Sequence, residues 1–163
     1  MGAGSPDPAS RVGEGPMTQT FAVSTKGHSD IVDITAQVGK IVRQAGVTSG
    51  IATVFVAGST AGITTVEYEP GLVSDLKEAF ERIAPRDAAY GHDSRWGDGN
   101  GYAHVRSSLL GCSLTVPVAD GELTLGTWQQ IVLVDFDNRP RQRQIVIQVL
   151  GEPAAKEASS GRR

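Results

Sequence analysis

Between Gly91 and Gln130 the chain gathers side chains that handle protons, metals and aromatic rings: His92, Asn100, His104, Ser108, Trp128 and Gln129. Histidine is the one side chain whose unperturbed pKa suits proton transfer near neutral pH, and neutral imidazole is a common metal ligand. Asn100, His104 and Ser108 recur every fourth residue, so a helix over 100–108 sets them on one ridge beside Val105 and Leu109. Amide, imidazole and hydroxyl would then point together into a cleft while the two aliphatic residues anchor the helix. The plainer alternative makes Asn100 an N-cap and His104 a boundary histidine. His92 falls in a loop expected over 86–99, among Asp93, Arg95 and Asp98; it is a second acid–base group of the same site or a solvated histidine. His28, near a turn after the first strand, reads as solvated.

Three further segments have chemical potential, each with a bland alternative. Glu67 and Glu69 project from one face of a strand expected over 63–69, and Asp75 follows at the border of the next helix's apolar stripe. Acids converging at a helix start can hold Mg²⁺ or act as base; otherwise they form a solvated edge near the favourable helix end. Ser59 and Thr60 lie in a small-residue turn, Gly58–Gly62, whose hydroxyls and N–H groups suit a phosphate or carboxylate, without the lysine of a P-loop. In Gly126-Thr127-Trp128-Gln129 the glycine permits a bulge, and indole and amide can together hold a heteroaromatic ring. The alternative there is a core tryptophan beside a strand glutamine.

The elements that must position these residues follow from periodicity. Ile34, Val38, Ile41, Val42 and Ala45 make one face of a helix capped near Asp33 and stopped at Gly46. Leu72, Leu76, Ala79, Phe80 and Ile83 stripe a second, opened by Pro70-Gly71 and ended by Pro85. A short third helix spans Gly101 to Leu110. Strands are expected at 18–24, 50–56, 63–69, 114–118, 122–125, 131–134 and 141–150, mostly joined by short turns. The class is therefore α+β: a largely antiparallel sheet core with two longer helices and one short one. Residues 17–152 form a single domain; 1–16 read as a disordered extension and 153–163 as a flexible tail, since neither has an apolar face.

Composition narrows the function. With 163 residues, 39% hydrophobic, 20% charged and a net charge of −3, the chain lacks the basic excess of a nucleic-acid binder. Cys112 stands alone, excluding an internal disulfide or a multi-cysteine zinc site. No apolar run approaches the roughly 18–20 residues of a membrane span, and no basic-then-apolar leader is apparent, so the expected compartment is the cytoplasm.

Together these segments resemble the YjbQ-like family, also called the secondary thiamine-phosphate synthase family. The resemblance runs from about Phe21 to Glu152. It is carried by Ser59-Thr60-Ala61, Glu67-x-Glu69-Pro-Gly-Leu-x-x-Asp75, Asn100-x-x-x-His104, Ser108-Leu-Leu-Gly111 and Gly121-x-Leu-x-Leu-Gly-x-Trp-Gln129. One position departs: Gly58 stands where many members carry histidine. The resemblance implies a homotrimer with thiamine-phosphate synthase activity, regarded as secondary, joining hydroxymethylpyrimidine diphosphate to thiazole phosphate with release of pyrophosphate. Such a transfer needs a cation or arginine on the leaving group and a positioned aminopyrimidine. The expected catalytic residues are His104, Asn100, His92 and Asp75. Ser59, Thr60, Ser108, Trp128, Gln129 and Arg95 would bind substrate, with Arg106 a further phosphate contact. Glu67 and Glu69 would hold Mg²⁺ or another divalent metal, and no organic cofactor is expected. Two alternatives stay open: a metal-assisted enzyme on another phosphorylated metabolite, and a non-catalytic trimeric small-ligand-binding protein.

Overall fold

Strand alternation decides which side chains the protein hides. In the last strand Ile145, Ile147 and Val149 are buried while Gln144, Gln148 and Leu150 face out. The run 131–134 is buried on both faces, which explains its unbroken apolar character. The computed structural model describes residues 16–153; the extension and tail read from the sequence lie outside them, apart from Pro16 and Pro153.

Twelve elements follow in order: β1 (Met17–Thr25), β2 (Asp30–Asp33), α1 (Thr35–Ala45), β3 (Val47–Val56), β4 (Ala61–Val66), α2 (Pro70–Ile83), α3 (Gly91–Trp96), α4 (Gly101–Leu110), β5 (Ser113–Ala119), β6 (Glu122–Leu123), β7 (Gln130–Asp135) and β8 (Arg141–Pro153). The strands form two sheets, β1-β8-β3-β5-β6 and β2-β7-β4, with antiparallel pairing throughout. The fold class is α+β, as expected. The expected single sheet is two, because β7 pairs with β2 and β4 and turns its two faces to different cores.

Ile131 and Leu133 join Ala61 and Ile63 of β4 in packing against β8, β3 and α1. Val132 and Val134 face the other way, onto Tyr102 and Ala103 of α4 and the partly buried Val73, Leu76 and Phe80 of α2. The small sheet is thus sandwiched between the large sheet and a helical layer. Burying each Val, Ile or Leu in these cores contributes roughly 1.5–3 kcal/mol. Helix α1 ends where the sequence places it: Gly46 takes the left-handed conformation at φ 64°, and the Asp33 carboxylate accepts from the Thr35 backbone and hydroxyl.

Three expectations change. The stretch 86–99 is not all loop, since α3 lies within it and carries His92. Strand β4 stops at Val66, so Glu67 and Glu69 are not strand residues. Val105 and Leu109 do not anchor α4; they are 40% and 65% exposed, and Tyr102, Ala103, Arg106 and Ser107 are buried instead. Among the described residues no helix is long and apolar enough to cross a membrane.

Candidate functional site

Helices α3 and α4 pack closely because Gly101 leaves room. A Cβ there would lie 2.5 Å from Tyr90 Cβ and 3.1 Å from Asp93 Oδ1. The close approach lets the Gly101 N–H donate to Asp93 Oδ1 at 2.8 Å and brings the imidazoles of His92 and His104 to 4.4 Å between ring centroids. Gly97 and Gly99, at φ 66° and 64°, turn the connection so that Asp98 returns over the pair. His92 Nδ1 then lies 3.3 Å from Asp98 Oδ1 and 3.4 Å from Asp93 Oδ1.

His92, Asp98 and His104 each offer a ligand atom, all within 4.8 Å of one another, and they are the one such group of three or more among the described residues. Two imidazole nitrogens and a carboxylate are the donors of a borderline divalent ion such as Zn²⁺, Mn²⁺ or Co²⁺, less those of oxygen-loving Mg²⁺. Asp93, bonded to the α4 backbone, shares the Nδ1 edge of His92 with Asp98.

Asn100 is buried at the start of α4, but its side chain does not cap that helix. Its Oδ1 accepts from the Asn138 backbone at 3.1 Å, while Asn138 Nδ2 donates to the Asp98 carbonyl at 2.7 Å. The two asparagines therefore clamp the segment that presents Asp98. Ser108 shares the ridge but donates to the His104 carbonyl at 2.8 Å on an exposed surface.

Beneath this clamp lies a buried ionic network. Asp135 is gripped by Arg143 through two 2.7 Å bonds, and Thr60 Oγ1 links Arg143 to Asp137. Burial alone would raise the Asp137 pKa. Hydrogen bonds from Arg141, Thr60 and Asn100, with the Arg141 charge, override it and hold the carboxyl below its ordinary range. Thr60 is thereby committed to the interior and not free for substrate. Ser59 is exposed on the same turn. Gly58, at φ 135°, sits where a Cβ would come within 3.1 Å of Arg143 Nη1.

The acidic turn does not bring its three carboxylates together as one ligand group. The Glu69 carboxylate caps α2, accepting from the Gly71 and Leu72 backbone. Glu67 and Asp75 are exposed and belong to no such ligand group among the described residues. Trp128 is neither core nor strand: it is 72% exposed in a turn. The Gln129 amide is taken at both ends, accepting from Gly126 N and donating to Thr65 Oγ1, each at 3.1 Å. Gln129 does line a cleft of about 360 Å³ between β4 and β5, together with Thr65, Leu110 and Thr115. Arg95 is exposed over the Trp96 ring. Arg106 is buried and bound to Glu81, Ser29 and the Ala84 carbonyl, so it is not a phosphate contact. Sequence reading placed Asp98 only among the charges around His92, although glycines on either side of it signalled a tight turn.

The chain matches the family described as UPF0047 protein YjbQ-like over residues 19–152. It is 40% identical to a UPF0047 protein of Methanothermobacter thermautotrophicus over 136 residues, covering 83% of this chain and 93% of that one. The UPF0047 protein YugU of Bacillus subtilis is 36% identical over 137 residues, 83% of this chain and 100% of the relative. A crystal structure of a YbjQ-like protein of unknown function from Sulfolobus solfataricus superposes with a TM-score of 0.80 at 36% identity, covering 85% of this chain and 99% of that one.

Proposed function

The chain belongs to the YjbQ-like UPF0047 family, and from that premise we propose that it is a divalent-metal-dependent enzyme acting on small phosphorylated substrates. Thiamine-phosphate synthase-type transfer is the activity to test first. One observation carries the reading: His92, Asp98 and His104 converge from two helices and their connecting turn into one ligand set. Three protein ligands leave room for a substrate oxygen or water, where a bound ion would neutralise a phosphoryl oxygen or acidify the water.

The protein's own groups do the rest. Asp93 steadies the His92 ring beside α4, the Asn100–Asn138 clamp holds Asp98, and the Gly101 contact sets the spacing of the two helices. Exposed Val105 and Leu109 lie on the surface face of α4 beside His104, which supports a homotrimer whose clefts lie at or near subunit boundaries.

The test is elemental analysis of protein purified without chelator, paired with a thiamine phosphate assay with and without added divalent metal. Close to one ion per chain and metal-dependent turnover are expected. Absence of bound metal together with metal-independent turnover would overturn the reading; bound metal with no thiamine phosphate would redirect it to another phosphorylated substrate.

A further inference from the structure

The cleft of about 360 Å³ between β4 and β5 shares no lining residue with the His92–Asp98–His104 set or the buried ionic network. It runs along two strand edges whose peptide groups are open. In β5 the Pro117 carbonyl accepts from the Thr124 N–H at 3.0 Å and from the Thr124 hydroxyl at 3.1 Å, so the peptide groups of Pro117 face away from β3. Proline suits that position, because a nitrogen facing the edge owes no hydrogen bond to the sheet. Ladder alternation then turns the N–H and C=O of Thr115 and Ser113 toward the same edge. Strand β6 pairs only with Val118 and Ala119 of β5, which leaves those groups without a strand partner among the described residues. Across the cleft β4 pairs with β7 alone. Its Ile63 N–H donates outward to the Gly111 carbonyl at 3.0 Å, so the Thr65 peptide, two residues on, faces the cleft as well.

An open strand edge is ordinarily guarded by charged side chains or a covering segment. Here no Asp, Glu, Lys, Arg or His lines the opening. The side chains between the two edges are aliphatic: Leu110 at the end of α4, Leu114 and Val116 from the inner face of β5, and Leu125 after β6. The Gln129 amide is held at both ends by Gly126 and Thr65, so it makes no demand on a guest. The cleft therefore offers apolar walls, an edge of alternating peptide donors and acceptors, and no charge.

From this geometry we propose that the cleft binds a flat, uncharged ring that carries an N–H beside a C=O, the edge of a lactam-type heterocycle. That edge pairs with the outward N–H and C=O of Thr115 as a neighbouring strand does, while the ring faces lie against the aliphatic side chains. The volume is at the small end of ligand pockets and suits a single ring. An uncharged lining selects against phosphate and carboxylate groups, whose charge would be desolvated there without a partner. The site is built from residues outside the His92–Asp98–His104 set and needs no metal.

Uracil, uncharged at neutral pH, is the probe, followed by calorimetry and ligand-observed NMR on the full-length protein with and without chelator. Wild type should bind it equally in both conditions, and His104→Asn should bind it as wild type does. Thr115→Pro deletes one outward N–H and nothing from the β3–β5 ladder, and it should weaken binding about tenfold or more because the ring carbonyl loses its donor. Thr115→Val keeps that N–H and should stay within about twofold of wild type, which separates the strand edge from the Thr115 side chain on the outer face of the sheet. 1,3-Dimethyluracil, with the same faces but no N–H, should bind about tenfold more weakly or worse. Leu125→Trp narrows the cleft without touching β5 and should abolish binding, so it decides the matter if Thr115→Pro does not fold. No uracil binding by wild type, binding lost with chelator or in His104→Asn, equal binding of the dimethyl ring, or affinity that survives Thr115→Pro or Leu125→Trp would each overturn the assignment. Tighter binding of a capped, uncharged tripeptide than of uracil would also overturn it, making the cleft a strand-docking groove.

Discussion

At the residue scale, the side chains with chemistry separate cleanly from those committed to structure. His104 is partly exposed and the buried face of α4 does not include it, so His104→Asn should change stability by about 1 kcal/mol or less. Bound metal should fall below stoichiometric, and turnover should drop about 10²–10⁴-fold if an acid–base group is lost; metal analysis, unfolding and the synthase assay read the three effects. A variant that unfolds readily would mean that the helix depends on the imidazole. Asp137 belongs to the other class. Its folded pKa lies below the ordinary aspartate value of about 3.9, so its charged form stabilises the fold above that value, and the contribution is lost as pH falls through the folded pKa. Thermal unfolding followed from neutral pH into acid should hold level to about pH 4 and decline below it. The decline should be shallower in Asp137→Asn.

At the element scale, two positions show how local geometry serves the site. Glu69→Ala removes the cap of α2 and should cost about 1 kcal/mol with no change in bound metal. Loss of metal in that variant would restore the acidic turn as a ligand set. Gly101→Ala should do the reverse, since its methyl group meets Tyr90 and pushes α3 from α4. Metal affinity should drop by at least tenfold in a titration monitored by competing chelator. Unchanged affinity would mean that the helices yield without separating the imidazoles.

At the scale of the whole molecule, the large sheet has a face that a lone chain leaves uncovered. Opposite the core it carries Thr20, Ile51, Phe55, Thr115, Val146 and Leu150, and no Asp, Glu, Lys or Arg points out between Gln142 and Leu150 of β8 or between Ile51 and Phe55 of β3. For a chain with 20% charged residues, so uncharged a surface fits contact between subunits. Light scattering at micromolar concentration should report three chain masses for wild type, and Val146→Lys should lower the mass. A wild-type monomer would remove the proposed trimer, and an intact trimer in the variant would move the contact to another face.

Element types were legible in the sequence wherever one physical cause acted alone. The heptad-like stripe of α1, the Pro70 start of α2, the span of α4 and the Asp120-Gly121 turn each follow from local sterics and periodicity, and each is where it was expected. His92 and His104 were also legible as chemistry, because imidazole is rare and reactive in any fold. What the sequence left open was which polar groups are already taken. Gln129, Thr60, Arg106 and Glu69 all read as free, and all are engaged by partners. Asp98 read only as one of the charges around His92, although it completes a group of three candidate ligands. Hydrogen bonding and desolvation depend on neighbours 58 to 83 residues away, as between Arg86 and His28 or Arg143 and Thr60. Those neighbours are assigned only when the two sheets and the helical layer close on one another.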